Sequence, residues 1–364
     1  MTMNEVSDEI KIDKKTIYEA AHDMVKCAKA INLIYMLDNK SGFARKKTSK
    51  EFCYFDETKK IKDKIILERI SKLRIPPAWE NVWICKKDNG HLQVTGFDKL
   101  GRKQYRYHSL WNAIRKQTKF FRLREFGLLI PVIRKKIEKD LSLKGFPQVK
   151  ILAAVVSLLE RTNIRVGNAF YEKLYGSFGL TTLKKRHLVI KGTQLRFSFK
   201  GKKGVQHTIT LRSKRLSQII KGCKDIQGKA LFEFYDHNGV IHCIDSGMVN
   251  AYISTATGGE FTAKDFRTWA GSLSALAAFN ELGSFETNTE MNQKIHSAFE
   301  ITAKQLGNTA TVCKNYYVHP IIVELYKEKK LAKYFGKLKF SETVDGQTAL
   351  MPVEKVLLKI LKNS

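Results

Sequence analysis

The chain has 364 residues, with 65 Lys or Arg against 35 Asp or Glu, so its formal net charge is +30. Its hydrophobic content of 43% is ordinary for a globular protein, and its length predicts two or three domains. So large a positive excess repels itself in a compact fold and therefore indicates a polyanionic partner, nucleic acid first and an anionic membrane second. No apolar run reaches the roughly 18 residues of a membrane span, which disfavours the membrane.

The six cysteines are scattered, and no C-x-x-C pair indicates a zinc site or a redox couple. We also find no secretory signal peptide. We therefore expect reduced thiols and a cytoplasmic, nucleoid-associated location if the protein is bacterial, or otherwise a nuclear or viral one.

Residues 1–38 are expected to form an appended helical segment. Apolar residues recur at roughly helical spacing between Lys14 and Leu37. Lys26 and Lys29 interrupt the apolar face, so the pattern favours a packed accessory helix over a membrane anchor.

Residues 39–111 are expected to form a β-rich amino-terminal domain, because short strand-like runs alternate there with glycine-containing turns. The runs lie at residues 82–85, 92–95 and 103–107, and the turns at Asn89-Gly90 and Leu100-Gly101.

The run at residues 103–107 alternates aromatic with basic or polar side chains. Gln104 and Tyr105 must face opposite ways, whereas Tyr105 and Tyr107 share a face. A strand that offers polar and basic groups with aromatics nearby suits a DNA groove or backbone. An amphipathic strand with its tyrosines in the core explains the same pattern.

Residues 112–336 are expected to form a mainly α domain, with a basic amphipathic helix over 122–139 and a buried helix over 148–161. Glycine turns within residues 181–212 predict a three-stranded antiparallel meander. Residues 191–224 carry ten Lys or Arg and no acid, which is typical of a surface that faces phosphates. A basic tail, residues 337–364, includes a predicted helix near its end. The fold class is thus α+β.

Two isolated arginines suit phosphate chemistry, because a guanidinium offers paired donors that match two phosphate oxygens. Arg165 lies in RTNIRVGN, where Thr162 or Asn163 could cap a new helix and point its amides at an anion. Considered singly, such an arginine is more often a structural ion-pair partner.

The second arginine, Arg267, lies in FTAKDFRTWAG. Thr262 followed three residues later by Asp265 is the signature of a capping box, so we expect Arg267 early on a helix. The same structural alternative applies to it.

Lys202 lies at the tip of a glycine-flanked hairpin turn, where a long cation could reach a leaving oxygen. Lys200 and Lys203 are equal candidates on composition alone, and all three could be solvated loop lysines.

The stretch 305–320, QLGNTATVCKNYYVHP, places the pair Tyr316 and Tyr317 between a polar turn and His-Pro. A tyrosine there could cap a hydrophobic core, or it could be a nucleophile if the two arginines and the lysine surround it.

Seven blocks in order along the chain resemble the type IB DNA topoisomerases, in particular the compact bacterial and poxvirus-type members. The blocks are RIPPAWENVWIC, TGFDKLGRKQYRYH, LLERTNIRVGNAFY, GSFGLTTLKKRHL, FKGKKGVQH, TAKDFRTWAG and LGNTATVCKNYYVHP. The resemblance runs from about Arg74 to Pro320 and leaves out residues 1–38 and the tail. It implies a β-rich amino-terminal lobe and a mainly α catalytic lobe of the tyrosine recombinase/topoisomerase IB type, containing a small three-stranded antiparallel sheet.

The resemblance also implies catalytic roles. Arg165 and Arg267 match the two catalytic arginines, Lys202 matches the general acid on the hairpin, and Tyr317 matches the nucleophile. Asn308 occupies a position that is His in the poxvirus and eukaryotic branches and Asn in the bacterial-type branch. An Asn amide can still donate to a phosphate oxygen, but it cannot carry charge.

Gln104, Tyr105 and Tyr107 match the DNA-contacting strand of the family. We therefore expect a monomer that closes two lobes around double-stranded DNA, with no membrane, metal or small-molecule cofactor. Supercoils would relax through a transient 3′-phosphotyrosine, whose ester conserves the bond energy and so removes the need for ATP.

The main alternative is a tyrosine site-specific recombinase, which shares this catalytic domain. Recombinases usually place His three residues before the second arginine, where this chain has Lys264. That residue favours the topoisomerase. A catalytically inactive DNA-binding protein is disfavoured because every catalytic residue type is present.

Overall fold

The computed structural model describes residues 19, 23–48, 51–259, 261–336 and 344–362. The chain forms two compact units, Met1–Arg122 and Leu123–Ser364. Not one of the described helices is long and apolar enough to cross a membrane.

The first helix of this unit whose bounds lie within the described residues is α1, Met24–Lys29, whose amides are capped by the Asp23 carboxylate. The helix predicted as far as Leu37 ends early, because the chain turns and Ile34 pairs with the distant Gly90. That bridge satisfies backbone groups that a longer helix would have used. Apart from residue 19, the predicted segment before Asp23 lies outside the described residues.

The centre of this unit is a six-stranded antiparallel sheet in the order β3-β2-β1-β4-β5-β6. Its strands are β1 Gly42–Lys47, β2 Phe52–Asp56, β3 Lys59–Lys60, β4 Glu80–Cys85, β5 Leu92–Phe97 and β6 Lys103–Tyr107. The three predicted strands are confirmed as β4, β5 and β6. A helix, α2, Lys64–Lys72, supplies the buried Ile70 to a core that contains Phe43, Ile84 and Val94.

A 33-residue helix, α3, Ser109–Leu141, follows the sheet. It contains the basic helix predicted over residues 122–139 but starts more than three turns earlier. One face of the helix is buried through side chains at helical spacing, Phe126, Ile130, Ile133 and Ile137. Packing of this apolar face stabilises a helix whose other residues are largely polar.

The second unit is mainly helical. Its helices are α4 Gln148–Thr162, α5 Ala169–Tyr175, α6 Lys214–Asp225, α7 Ser246–Thr257, α8 Ala263–Leu282, α9 Asn288–Leu306, α10 Ala310–Tyr316, α11 Pro320–Lys327 and α12 Pro352–Lys362. Helix α4 is buried along most of its length, as its composition predicts. The α+β class is confirmed.

Two small sheets lie between the helices of the second unit. The predicted meander is confirmed as β7 Leu188–Lys191, β8 Gln194–Lys200 and β9 Gln206–Arg212, paired in that order. A two-stranded ribbon joins β10 Glu233–Tyr235 to β11 Ile241–Cys243.

The carboxy-terminal helix α12 is packed into the second unit through a buried charge cluster. Glu354 is 1% exposed, and its carboxylate pairs with Arg134 at 2.8 Å. Arg134 also pairs with Glu160, and Trp269 Nε1 donates to Glu354. Both carboxylates thus share the cation of Arg134 as their opposite partner, which offsets part of the cost of burying them, although burial still raises the pKa of Glu160.

Candidate active site

Helix α8 positions the arginine of its second turn. The predicted capping box is present, since the Thr262 amide donates to Asp265 Oδ2 at 2.7 Å. Arg267 is 5% exposed, and its two Nη atoms donate to the carbonyl oxygens of Asn163 and Leu306. Both acceptors are neutral carbonyl oxygens, so these hydrogen bonds do not compensate the positive charge of the guanidinium.

Arg165 does not lie at the start of a helix, and the cap predicted at Thr162 or Asn163 is wrong. Asn163 ends α4 in the left-handed conformation, with φ at 56°, which Asn tolerates better than most residues. The next helix, α5, begins only after Asn168. Arg165 lies between them in an irregular segment, and its carbonyl accepts from the Leu180 amide.

The Arg165 side chain reaches the turn after α9. It donates to the Gly307 carbonyl at 3.0 Å and to Asn308 Oδ1. Burial and the neighbouring Arg267 cation lower the pKa of the Arg165 guanidinium to about 10. Within the described residues, neither arginine forms an ion pair, which separates both from the structural arginine Arg134.

Asn308 follows a glycine that ends α9. Gly307 adopts φ at 61°, and the Asn308 amide donates back to the Ala303 carbonyl. Its Oδ1 is occupied by Arg165, whereas its Nδ2 is buried and forms no hydrogen bond of normal geometry within the described residues. Burial raises the pKa of the nearby Cys313 thiol to about 11, although the side-chain amide of Asn308 favours the ionised thiolate.

Tyr317 directly follows α10, and α8 holds its backbone in place. Ser272 Oγ donates to the Tyr317 carbonyl at 3.3 Å. Gly271 packs so closely that a Cβ there would lie 2.6 Å from the same oxygen. The Arg267 guanidinium carbon lies 5.2 Å from the centroid of the Tyr317 ring, whereas Tyr316 is 48% exposed. Helix α8 thus positions a cation and a phenol against each other.

Lys202 begins the single helical turn, Lys202–Gly204, that joins β8 to β9. Its side chain is exposed and lines the same shallow cleft as Arg165 and Asn163. Lys200 and Lys203 do not line that cleft.

His207 also lines the cleft, and no pattern in the sequence singles it out. It lies within FKGKKGVQH, but neither its spacing nor its neighbours mark it, because Gly307, which packs against its ring, is one hundred residues later in the chain.

The predicted DNA-contacting residues lie on β6 in the first unit. Tyr105 and Tyr107 are stacked with centroids 6.1 Å apart and are 48% and 40% exposed. The alternative that both tyrosines are core residues is therefore wrong. Gln104 points to the other side, where its amide donates to Asp98 at 2.9 Å.

The second unit therefore brings Arg165, Arg267, Asn308 and Tyr317 together, with Lys202 on the cleft that Arg165 also lines. Such a group can hold an oxyanion and present a hydroxyl nucleophile to it. Among the residues that the structure describes, no cluster of three or more His, Cys, Asp or Glu side chains could hold a metal ion.

Known proteins match most of the length of this chain. Residues 108–341 match the catalytic core of eukaryotic DNA topoisomerase I, and residues 51–98 match the amino-terminal domain of bacterial DNA topoisomerase IB. DNA topoisomerase 1B of Acanthamoeba polyphaga mimivirus is 33% identical over 333 residues, which cover 88% of this chain and 95% of that protein.

Poxvirus proteins are more distant relatives. DNA topoisomerase 1B of vaccinia virus, strain Copenhagen, is 26% identical over 73% of this chain and 81% of its own length. DNA topoisomerase 1 of rabbit fibroma virus is 23% identical over 70% and 78%. Since the catalytic-core match covers more than half of the chain and the mimivirus relative is matched almost throughout, the chain belongs to the type IB DNA topoisomerase family.

Proposed function

We propose that Tyr317, Arg165, Arg267, Asn308 and Lys202 form the catalytic centre with which this topoisomerase cleaves and rejoins one strand of duplex DNA. The observation that carries the proposal is the pair of largely buried arginines, which have no acidic partner within the described residues. Buried charges in proteins are normally paired, so two unpaired cations beside a tyrosine favour an anionic ligand. A backbone phosphate supplies the missing charge and matches guanidinium geometry.

In this mechanism the Tyr317 phenol loses its proton to water as its oxygen attacks the phosphorus. The bond to the 5′ oxygen breaks, and a 3′-phosphotyrosine forms. Arg165 and Arg267 neutralise the non-bridging oxygens, and Nδ2 of Asn308, which forms no hydrogen bond of normal geometry within the described residues, donates to one of them. Lys202 protonates the departing 5′ oxygen. After the duplex has rotated, the 5′ hydroxyl reverses the step.

The low pKa of Arg165 supports this assignment. Burial and Arg267 make its charge costly in the DNA-free protein, and a bound phosphate would remove that cost. The free energy released when the phosphate pairs with Arg165 therefore arises at the group that reacts.

The amino-terminal domain, residues 39–111, would bind the duplex through the exposed stacked rings of Tyr105 and Tyr107. Gln104 would join them only if it exchanged its bond with Asp98 for a base or phosphate. We propose that one chain, acting as a monomer, contacts DNA with this domain and with the catalytic domain, residues 112–336.

The experiment is relaxation of supercoiled plasmid in EDTA, with trapping of the covalent adduct. Tyr317→Phe should bind DNA but neither relax it nor become attached to it, because the phenolic oxygen is the nucleophile. Tyr316→Phe is the matched control and should remain active, since its ring is on the surface. Relaxation by Tyr317→Phe together with an inactive Tyr316→Phe would move the nucleophile by one residue.

The recombinase alternative is not favoured, since the relatives and both family matches are topoisomerases. Lys264, in the first turn of α8, is exposed where recombinases usually carry His.

A further inference from the structure

The imidazole of His207 is wedged between two glycines from distant parts of the second unit. A Cβ on Gly201 would lie 2.5 Å from His207 Cδ2, and a Cβ on Gly307 would lie 2.3 Å from His207 Cε1. Real Cβ atoms do not approach a ring so closely, so both glycine backbones rest directly against the imidazole. On its own sheet, the ring stacks on its cross-strand neighbour Phe199 at 5.2 Å.

Each of these glycines precedes a residue of the proposed catalytic centre. Gly201 precedes Lys202, and Gly307 precedes Asn308 and offers its carbonyl to Arg165. The ring is therefore a shared packing element between the hairpin that carries the lysine and the turn that carries the asparagine.

The hairpin tip needs such a support. Lys202 and Lys203 are exposed, and Lys203 adopts φ at 61°, which is strained for a residue other than glycine. Lys202 forms no ion pair within the described residues, so its backbone, rather than a partner of its side chain, decides where the ammonium can reach.

We propose that His207 is a positioning residue, which holds the hairpin against the Gly307–Asn308 turn and so sets the reach of Lys202 to the leaving oxygen. The inference rests on the proposed function, because it assigns His207 to the proton-donating half of that site. Lys202, and not His207, gives the proton.

The charge state of His207 suits this place. Burial, together with the cations of Arg165 and Arg267, lowers the pKa of the imidazole. The ring is therefore neutral at pH 7 and fills the space between two backbones without adding a third positive charge beside the arginines.

The glycine at position 201 supports the same account. Its φ of −91° is accessible to any residue, so the backbone conformation does not require glycine. What excludes a side chain is the ring of His207.

The test is single-turnover cleavage of two DNA substrates that differ in the leaving atom. With a normal 5′ oxygen, His207→Ala should cleave up to about 10²-fold more slowly, the effect of displacing a catalytic group by about 1 Å. With a 5′-phosphorothiolate, whose sulfur leaves without a proton, the variant should approach the native rate.

The matched control is His242→Ala. His242 also stacks on a cross-strand phenylalanine, Phe234, in the ribbon β10–β11 of the same unit. Its removal should leave cleavage of both substrates unchanged.

A double-mutant cycle tests the wedge itself. Gly201→Ala should slow cleavage of the oxygen substrate when His207 is present. Adding Gly201→Ala to the His207→Ala variant should slow cleavage little further, because the ring that the new Cβ would meet is gone. If the alanine variant at position 207 folds poorly, Gly201→Ala alone still tests the proposal, because its slowed cleavage should show the same phosphorothiolate rescue.

Native-rate cleavage by His207→Ala, or a defect that is equal on both substrates in folded protein, would overturn the proposal. A native protein that relaxes no plasmid and forms no adduct through Tyr317 would instead refute the proposed function, so the two failures are distinguishable.

Discussion

Replacing Arg165 by Met should abolish most of the cleavage activity without lowering the stability of the DNA-free protein. The usual expectation for a buried arginine is the opposite, because removing one partner of a buried ion pair costs about 3–5 kcal/mol. Arg165 has no such pair within the described residues, so the substitution removes an unfavourable charge.

The magnitude follows from its surroundings. Lowering the pKa of Arg165 to about 10 corresponds to about 3 kcal/mol that the folded state loses by keeping the charge. Partial exposure reduces this to about 1–2 kcal/mol. Against it stand hydrogen bonds to Gly307 and Asn308, worth about 0.5–1.5 kcal/mol each. The two contributions nearly cancel, so the net change should lie within about 1 kcal/mol of zero.

The assay is urea unfolding of the DNA-free protein, with Arg134→Met as the control. Arg134 is 3% exposed and paired with Glu160 and Glu354, so its loss should cost the full 3–5 kcal/mol or so. Equal destabilisation by the two substitutions would show that Arg165 is a structural arginine and would refute the reasoning.

Three further predictions concern the same chemistry. Lys202→Ala should slow cleavage by about 10²–10⁴-fold and recover on a 5′-phosphorothiolate substrate, whereas the same rescue in Lys200→Ala or Lys203→Ala would move the acid to that residue. Asn308→Ala should lose about 3–4 kcal/mol of transition-state stabilisation while its DNA affinity is kept. Asn308→His should retain activity and show a new pH dependence near about 6.5. Equal single-turnover cleavage rates for the native protein and Asn308→Ala would show that Asn308 has only a structural role in the turn. DNA affinity should fall steeply between roughly 50 and 200 mM salt, because the basic surface displaces counterions from DNA, and a flat titration would contradict extensive phosphate contact.

Local patterns predicted the parts of the fold that local forces decide. The strands β4, β5 and β6, the meander and the capping box at Thr262 each depend on residues a few positions apart. Their turn and cap chemistry is therefore visible in the sequence.

The features that the sequence did not predict depend on contacts between residues far apart in the chain. The early end of α1 follows from the pairing of Ile34 with Gly90. The apolar periodicity of residues 14–37 does not indicate this pairing, because Gly90 is distant in the sequence. Asn163 looked like a helix start, but the side chains buried behind it make it the end of α4. His207 was overlooked because its role depends on Gly307, which folding brings next to it.

The cluster of Arg134, Glu160 and Glu354 has a consequence for biosynthesis. Arg134 and Glu354 are 220 positions apart, so a nascent chain contains the arginine long before the second carboxylate exists. Until synthesis has passed α12, Arg134 has only Glu160 to balance it, and Trp269, two residues beyond Arg267 on α8, lacks its acceptor. We expect the second unit to become rigid, and therefore able to cleave DNA, only after translation has passed this helix.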